Sequence, residues 1–469
     1  MADSSSTLTR EQADSIVPMV WFSCALAALA GLLFGMDIGV ISGALPFITR
    51  EFNLDPQMEG WIVGAMMLGA AIGALGAGYV SRLLGRKKSL LISAVLFVIG
   101  SLLAALAWSP HVLIAARVLL GLAVGVASFT APLYLSEIAP ERIRGTTISM
   151  YQLMVTVGIL AAFLSNTAFS YLGSWRWMLG VIAFPALLLF IGVLMMPNSP
   201  RWLASKERYD EARQVLNKLR AGRQEVEREM EEIEESMQVE QNVSGWRMFR
   251  SNPNFRRSVT LGVVLQVVQQ FTGINVMMYF APKIFQMAGF ADTAAQLWST
   301  VVVGLVNVLA TFIAIGFVDR WGRKPILYAG FAIMAAGMAA LGTLLYIGTT
   351  TPALQYIAMA SLLVFVAGFA MSAGPLVWTL CAEIQPLKGR DFGISCSTVA
   401  NWVGNMIVGT YFLVLVNHLG GPVTFWLLAA LNFLFILVIF FFVPETKGIS
   451  LEKIEQNLMS GKSLRNIGT

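Results

Sequence analysis

Asp37 is the residue in this sequence whose surroundings most require a chemical explanation. It is the only carboxylate deep within a long apolar segment, in the run from Gly31 to Gly43. An ionisable side chain at the depth of a lipid bilayer costs several kcal/mol or more unless it is paired, hydrated or protonated. We therefore expect Asp37 to belong to a site that handles protons or ions.

Three glutamines form a second group with chemical potential. Gln266, Gln269 and Gln270 stand at positions i, i+3 and i+4, so a helix places Gln266 on one face with both of the others. Gly273 and Asn275 follow, and they predict a loosened helix, which a membrane tolerates only where protein or water covers the backbone. Amides donate and accept hydrogen bonds, as sugar hydroxyls do. The group predicts a mid-membrane site for a neutral, hydroxylated ligand.

Neighbouring apolar segments add amides and aromatic rings that could contact the same ligand. Ring faces can pack against the C–H side of a pyranose. The absence of Lys and Arg among these candidates argues against a phosphorylated or carboxylate ligand, which would be expected to bind a cationic clamp. The alternative is that buried amides only join helices, at under about 1 kcal/mol each. These additional candidates are Gln152, Asn307, Asn401, Phe34, Tyr279, Trp378 and Trp402.

Composition places the chain in a membrane. Of 469 residues, 57% are hydrophobic and 13% are charged, and the mean hydropathy is +0.70. The net charge of +5 does not predict nucleic-acid binding, because the basic residues lie in short loops and form no continuous patch. The three cysteines have no C-x-x-C spacing, so neither a disulfide framework nor a metal site is indicated. No cofactor is expected. An enzyme is disfavoured because the spans offer no nucleophile and base pair.

Runs of about 20 apolar residues predict an all-α membrane protein with twelve transmembrane helices in two six-helix halves. The first six spans are predicted at 18–48, 60–82, 87–108, 112–136, 147–171 and 176–196. The second six are predicted at 258–287, 296–318, 325–347, 354–382, 393–417 and 421–443. The corresponding units are an N-terminus (1–17), a first bundle (18–196), a helical connector (197–257), a second bundle (258–443) and a tail (444–469).

Basic residues in short loops predict the orientation in the membrane. Alternate loops between the spans differ strongly in their content of Lys and Arg. The basic-poor loops contain only Arg50, Arg176 and Lys283, whereas the other loops are rich in basic residues. We therefore predict that both termini and the connector lie in the cytoplasm. The loops assigned to that side carry Arg82, Arg86, Lys87, Lys88, Arg142, Arg144, Arg320, Arg323, Lys324, Lys388 and Arg390.

The two halves repeat three short signals in the same order, each at the cytoplasmic end of corresponding spans. Transporter folds are commonly built from such repeats, with the binding site at the repeat interface. The repeated signals are Arg82-Leu-Leu-Gly85-Arg86-Lys87 with Asp319-Arg-Trp-Gly322-Arg323-Lys324, Glu137-Ile-Ala-Pro140 with Glu383-Ile-Gln-Pro386, and Pro197-Asn-Ser-Pro200-Arg201-Trp202 with Pro444-Glu445-Thr446-Lys447-Gly448.

Over nearly its whole length the chain resembles the sugar porter family of the major facilitator superfamily. The Gly-Arg-Lys loops are general to the superfamily, whereas the motifs after spans six and twelve are more specific to sugar porters. Arg82 departs from the pattern, because many members carry Asp there, so the charge pairing of the first half is expected to differ in detail. The strings that strengthen the resemblance are Arg117-Val-Leu-Leu-Gly121 and Gln269-Gln270-Phe-Thr-Gly273-Ile-Asn275. Those most similar to bacterial galactose–proton and arabinose–proton symporters are Ala131-Pro-Leu-Tyr-Leu-Ser-Glu137 and Tyr151-Gln152-Leu-Met-Val.

The resemblance implies proton-coupled uptake of a neutral monosaccharide by alternating access, by a monomer in the lipid bilayer of a bacterial inner membrane. Galactose is favoured, with arabinose, glucose and xylose open, because epimers differ only in the direction of one hydroxyl. The sugar-binding residues are expected to be Gln152, Gln269, Gln270, Asn275, Asn307, Trp378, Asn401, Tyr279, Gly374, Trp402 and Phe34.

Arg117 is the expected partner of Asp37 in proton coupling. His111 and His418 fall near the outer ends of spans, which leaves Asp37 as the intramembrane group whose charge can change. At about 1.5 Å per residue, Asp37 lies roughly 16 Å and Arg117 roughly 10 Å from the outer ends of their spans, so the two can meet. A carboxyl group's proton affinity shifts as it gains or loses a cationic partner. A fixed structural ion pair is the alternative.

Two further glutamates are predicted at the cytoplasmic ends of their spans, where arginines are available. We expect an intracellular charge network that holds the cytoplasmic side shut in the outward-facing state. The alternative is that the positive loops determine topology only. The expected members are Arg86, Glu137, Arg144, Arg323, Glu383 and Arg390.

Two other functions compete with symport. A passive facilitator of the same fold would share nearly every feature, but facilitative relatives generally carry a neutral residue where this chain has Asp37. A sugar sensor would be expected to carry a long cytoplasmic signalling extension, and the tail after Pro444 is short. The sequence therefore favours the symporter.

Overall fold

A computed structural model describes residues 17–239, 245–386, 389–449 and 451–469, although the side chains of 141–142, 144–146, 148, 236–239, 315–316, 318–319 and 452 lie outside the description. Over the described ranges the regular structure is helical, with twenty α-helices and one 3-10 turn at Leu464–Asn466. Twelve segments of this part of the chain are long and apolar enough to cross a membrane. The predicted all-α, twelve-span architecture is confirmed.

The first half contains six spans built from seven helices. Its helices are α1 (Pro18–Phe52), α2 (Pro56–Leu84), α3 (Arg86–Ala105), α4 (Pro110–Ile138), α5 (Glu141–Ser170), and α6 (Trp175–Gly180) with α7 (Ala183–Met195) forming span six.

The second half contains six spans built from eight helices. Span seven comprises α12 (Pro253–Phe271) and α13 (Ile274–Met287), and span ten comprises α16 (Pro352–Met371) and α17 (Ala373–Glu383). The continuous spans are α14 (Thr293–Trp321), α15 (Arg323–Ile347), α18 (Arg390–Leu419) and α19 (Gly421–Phe442).

Span two begins four residues earlier than predicted, and the reason is local. Pro56 occupies the first turn of α2, and the Asp55 side chain accepts a hydrogen bond of 2.8 Å from the backbone N–H of Met58. An acidic N-cap followed by proline is a favourable helix start. Glu59, which the prediction left in a loop, therefore lies in the first turn of a spanning helix.

Two interruptions were not predicted. Span ten breaks at Ser372 (φ −133°, ψ −90°), three residues before Pro375, and span six breaks between α6 and α7, just before Pro185. Proline has no N–H to bond the carbonyl four residues earlier, so it interrupts a helix ladder. The predicted loosening of span seven is present at Gly273 (φ 94°), a left-handed conformation that glycine adopts without steric cost.

The connector forms short helices on one end of the bundle, which we name the connector side; the opposite end is the distal side. Arg220 is almost fully buried, pairs with Glu229 at 2.7 Å, and donates a 2.9 Å hydrogen bond to the carbonyl of Ile138 at the end of α4. These contacts fasten the connector to the first half. The connector helices are α8 (Pro200–Ser205), α9 (Tyr209–Leu219), α10 (Arg223–Val239) and α11 (Gly245–Ser251).

The tail returns to the connector side of the second half. Its helix α20 (Leu451–Met459) ends against α12, where the Asn254 side chain donates a 3.1 Å hydrogen bond to the carbonyl of Met459. The tail therefore packs beside the bundle as part of the fold.

The halves contact each other through α2 with α18, α5 with α14, and α1 with α13. The halves approach each other closely on the distal part of α2, where a Cβ placed on Gly60 would lie 1.9 Å from the carbonyl oxygen of Thr410. Only glycine permits helices to approach this closely. The distal side is therefore closed by direct packing of the two halves.

Candidate functional site

Asp37 and Arg117 meet in the interior of the first half, as their estimated depths predicted. Arg117 Nη1 lies 2.7 Å from Asp37 Oδ1, and both side chains have 0% exposed area. Arg117 also donates from Nε to the carbonyl oxygen of Ile62 at 3.4 Å. Spans one, two and four therefore hold a buried ion pair that is sealed from solvent in this conformation.

The ion pair uses only part of the hydrogen-bonding capacity of the two groups. Asp37 Oδ2 and Arg117 Nη2 are buried and have no hydrogen-bond partner within the described part of the chain. A bidentate Arg–carboxylate pair would use two parallel hydrogen bonds. This single-point contact leaves one carboxylate oxygen available to accept a proton.

The predicted amides of span seven form one connected group with span eleven. Asn401 Nδ2 donates to Gln266 Oε1 at 2.6 Å and to Gln269 Oε1 at 2.8 Å. Asn275 Nδ2 donates to Gln270 Oε1 at 2.5 Å. The glutamines and Asn401 are at most 4% exposed, whereas Asn275 is half-buried. The structure thus brings these five amides together beside the break in span seven.

Gln269 also connects the breaks of spans seven and ten. Its Nε2 donates to the carbonyl oxygens of Ala373 at 2.8 Å and Gly374 at 3.2 Å, immediately after the interruption at Ser372. Asn432 Nδ2 donates to the carbonyl oxygen of Thr272 at 3.1 Å. Buried backbone groups released by helix breaks require such partners. These amides therefore satisfy backbone carbonyl groups at the helix breaks, in addition to any contact with a ligand.

The predicted aromatic residues lie in three separate places. Phe34 and Trp402 contact each other across the two halves, with ring centroids 5.4 Å apart. Tyr279 is fully buried and donates from its hydroxyl to Asn405 Oδ1 at 3.2 Å, a partner that the sequence did not reveal. Trp378 is 38% exposed. The rings therefore do not form one surface in this conformation.

Two predicted amides stand apart from the connected group. Gln152 is exposed, and Asn307 is 6% exposed in span eight without a side-chain hydrogen bond to another described residue. Neither side chain is committed to a hydrogen bond with another described residue.

The predicted charge network consists of two separate ion pairs on the connector side. Arg86 pairs with Glu137 at 2.7 Å within the first half, and Arg323 pairs with Glu383 at 2.9 Å within the second. Arg390 forms no ion pair with another described residue, and the Arg144 side chain lies outside the description. Neither pair crosses between the halves.

Each of these ion pairs has a hydroxyl partner that sequence reasoning missed. Ser199 donates to Glu137 Oε2 at 2.5 Å, and Thr446 donates to Glu383 Oε2 at 2.5 Å. The signal was present, because Ser199 and Thr446 occupy equivalent places in the repeated motifs after spans six and twelve.

Glu445 caps the start of α15. Its carboxylate accepts hydrogen bonds from the backbone N–H groups of Arg323, Lys324 and Lys447 at 2.9–3.0 Å. Burial by itself would raise the pKa of Glu445, but these three hydrogen bonds and the Arg323 charge outweigh it and hold the pKa below its usual range. Glu445 is therefore ionised at neutral pH and helps to fasten span nine.

Comparison with known proteins gives close relatives. The sequence profile described as "Sugar (and other) transporter" matches residues 23–458. The galactose-proton symporter of Escherichia coli K12 is 64% identical over 98% of each chain, and the arabinose-proton symporter of the same strain is 55% identical over 99% of this chain and 98% of that one.

A solved structure with the same fold covers nearly the whole molecule. The partially occluded inward-open form of the xylose transporter XylE from E. coli superposes with a TM-score of 0.81 and 31% identity, and the match covers 92% of this chain and 99% of that one. This chain belongs to the sugar (and other) transporter family.

Proposed function

We propose that this chain is a proton-coupled monosaccharide transporter of a bacterial inner membrane, with galactose as the favoured substrate. The similarity to galactose-proton and arabinose-proton symporters supports the substrate class and the coupling ion. The protein acts as a carrier rather than an enzyme. It moves sugar by alternating access of one central site to the two sides of the membrane.

The observation that carries the proposal is the sealed Asp37–Arg117 ion pair. Since both side chains have 0% exposed area, the carboxyl group can exchange protons with water only in another conformation. Protonation at the unpartnered Oδ2 would neutralise Asp37 and remove most of its attraction to Arg117. We assign Asp37 as the proton carrier and Arg117 as the partner that makes its charge depend on conformation.

The central amides are assigned to sugar recognition. Buried polar groups require partners, and Gln266 Nε2 and Trp402 Nε1 have none among the described residues, which suits a ligand rich in acceptor oxygens. Asn275, which is hydrogen-bonded to Gln270, presents accessible surface within this group. The remaining proposed sugar contacts are Gln152, Gln269, Gln270, Asn307, Trp378, Asn401, Tyr279, Gly374 and Phe34.

Proton and sugar sites communicate across the halves in this proposal. Tyr279 lies on the outer helix of span seven, which packs against span one, and it donates a hydrogen bond to Asn405 on span eleven. By linkage, sugar and proton must raise each other's affinity by the same factor.

The connector side is assigned to the cytoplasm together with both termini, as the distribution of basic loops indicates. The conformation described here would then face inward, with the distal side closed. The ion pairs of Arg86 and Arg323 would meet across the halves only when the cytoplasmic side closes, joined by Arg144 and Arg390. We further propose that one chain, with bundles at 18–196 and 258–443, a connector at 197–257 and terminal segments at 1–17 and 444–469, forms the functional unit.

The test is substitution of Asp37 by Asn, assayed in cells that lack other galactose carriers. We expect the variant to equilibrate labelled galactose but not to accumulate it uphill, and sugar addition should no longer alkalinise the medium. Asp292→Asn, which neutralises an exposed carboxylate on the distal side, should leave accumulation within about twofold of wild type, as for surface changes generally.

Uphill accumulation by Asp37→Asn would remove the coupling assignment. Wild-type uptake that is insensitive to an uncoupler would identify the chain as a passive facilitator. Competition by unlabelled arabinose, glucose and xylose in the same assay ranks the substrates.

A further inference from the structure

An ion pair on the distal side joins the two halves. Lys283 Nζ, at the outer end of span seven, lies 3.4 Å from Glu59 Oε2 in the first turn of α2. The Glu59 side chain is 5% exposed and that of Lys283 is 38% exposed. The negative charge, which Glu59 contributes from the first half, is therefore buried. The positive charge of Lys283 is partly exposed.

This contact differs from the other ion pairs near the ends of the spans. The pairs of Arg86 and Arg323 each lie within one half, and so does the distal pair of Glu51 with Arg176, at 2.9 Å between α1 and span six. Among the ion pairs formed by described residues, Glu59 with Lys283 alone connects the halves. Its presence consequently depends on how the halves are arranged.

The pair borders a polar cavity of about 190 Å³ that both halves enclose. Lys283 lines this cavity and is 38% exposed, and a rearrangement that widens the cavity would hydrate Glu59 as well. A buried carboxylate that loses its cation is costly unless water replaces it. The lining includes Ser42, Thr49 and Arg50 from the first half and Tyr279, Gln286 and Gln296 from the second.

Lys283 sits on a segment of span seven that is structurally separate from the rest. Phe280 has non-helical backbone angles (φ −116°, ψ 16°), and Pro282 cannot donate to the carbonyl of Met278. Span seven therefore bends twice, once at Gly273 and once at Phe280 and Pro282. Lys283 can therefore move relative to Glu59 without unfolding α2.

We propose that Glu59 and Lys283 form a latch that exists only while the distal side is closed. The latch stabilises the inward-facing form relative to the outward-facing form, and it thereby sets the fraction of carriers that can take sugar from outside. The inference rests on alternating access in the proposed function. Glu59 and Lys283 act as positioning residues, because neither belongs to the assigned sugar or proton site.

The size of the effect follows from the exposure of the pair. Partly exposed ion pairs contribute up to about 1 kcal/mol, which corresponds to a change of about two- to fivefold in the ratio of outward- to inward-facing carriers. The apparent affinity for external sugar rises with the outward-facing fraction. Breaking the latch should therefore lower the external half-saturation concentration by up to the same factor.

The direct experiment measures access to the cavity with a membrane-impermeant maleimide. Ser42, which lines the cavity and is 1% exposed, is replaced by Cys in a background where Cys24, Cys381 and Cys396 are changed to Ser. The reagent is added to intact cells, and the labelling rate reports the fraction of carriers with an open distal side.

We expect Glu59→Gln and Lys283→Gln each to raise the labelling rate about two- to fivefold. The reversed pair, Glu59→Lys with Lys283→Glu, should return the rate toward wild type, which a merely destabilised protein would not do. Glu51→Gln, the matched change in the distal ion pair that lies within one half, should leave the rate unchanged.

Equal labelling in wild type and both single variants would overturn the latch. So would a reversed pair that labels as fast as the singles. Galactose uptake is measured in parallel, so failure of the proposed function is recognised separately: in that case wild type moves no sugar, whereas the labelling rates still report whether the halves are latched.

Discussion

The two halves of the molecule are alike on the connector side and different in the interior. Each half fastens its connector-side ends with an arginine, a glutamate and a hydroxyl in equivalent motif positions. The contacts are 2.7 and 2.5 Å in the first half and 2.9 and 2.5 Å in the second, for Arg86–Glu137–Ser199 and Arg323–Glu383–Thr446 respectively. The repeat has therefore kept the features that hold the bundles together.

The interiors have diverged. The first half buries a charged pair, Asp37 with Arg117, whereas the second half buries neutral amides grouped around Gln269 and Asn401. A group that changes charge suits a proton, and amides suit an uncharged polyol. Under the proposed assignments, the duplicated scaffold places the proton-binding group in one copy and most of the amides that contact sugar in the other.

A second difference lies after spans six and twelve. Glu445 caps span nine through three backbone N–H groups, while Asn198 at the equivalent place is neutral and makes no side-chain hydrogen bond to another described residue. The second half thus contains a carboxylate cap that protonation would weaken, and Asn198 provides no equivalent contact to a described residue in the first half.

The largest expected effect comes from Arg117→Leu, which leaves the Asp37 carboxylate buried without a cation. Removing one member of a buried ion pair costs about 3–5 kcal/mol, so we expect a strong loss of heat stability in detergent together with loss of uphill accumulation. The double change Asp37→Asn with Arg117→Leu should recover most of the stability and none of the accumulation. If the single variant still accumulates sugar, the division of roles between the halves is wrong.

An intermediate effect is expected from Gln269→Ala in the second half. The change leaves the carbonyls of Ala373 and Gly374 and the amide of Asn401 short of partners. It also removes a proposed sugar contact worth about 1–3 kcal/mol, or roughly 5- to 150-fold in the KM for sugar. The number of protons carried per sugar should not change. Asn166→Ala, which removes an amide that joins spans one and five, should lower stability but shift KM less than about threefold. An equal KM shift in both variants would contradict the assignment of Gln269 to sugar recognition.

The smallest effect concerns Glu445→Gln. Because the folded-state pKa of Glu445 lies below its ordinary value of 4.5, the carboxylate stabilises the protein at neutral pH, and the gain is lost as the pH falls through the folded-state pKa. We expect the variant to be less stable by about 1 kcal/mol at pH 7, since the group is partly exposed. The difference should narrow as the pH falls below the ordinary carboxyl value of 4.5, as seen by thermal unfolding. Asn198→Ala should show no such pH dependence, and a parallel pH profile in both variants would remove the distinction.

Much of the architecture was predictable because lipid imposes a simple rule. Each spanning segment must satisfy its backbone internally, so runs of apolar residues give the helices with small errors at their ends. The errors had physical causes that depend on few residues. The N-cap at Asp55 moved Glu59 into α2, and Pro375 broke span ten where hydropathy is continuous.

The candidate site was predictable in its members but not in its arrangement. The spacing of Gln266, Gln269 and Gln270 indicated one helical face, and the structure adds Asn401 as the residue that joins two of them. Tyr279 was expected beside a ligand, yet it is fully buried here against Asn405. Side-chain partners on different spans depend on packing that local sequence does not encode.

The sequence by itself determined a twelve-span, twice-repeated membrane protein with one isolated carboxylate at bilayer depth, because hydropathy and the cost of buried charge act on each segment separately. Only the tertiary structure decided the contacts between distant segments. Asp37 meets Arg117 across 80 positions of the chain, and Glu59 meets Lys283 across 224. Such pairs depend on how whole helices pack, so the proposed division of roles between the halves and the proposed distal latch became visible only in three dimensions.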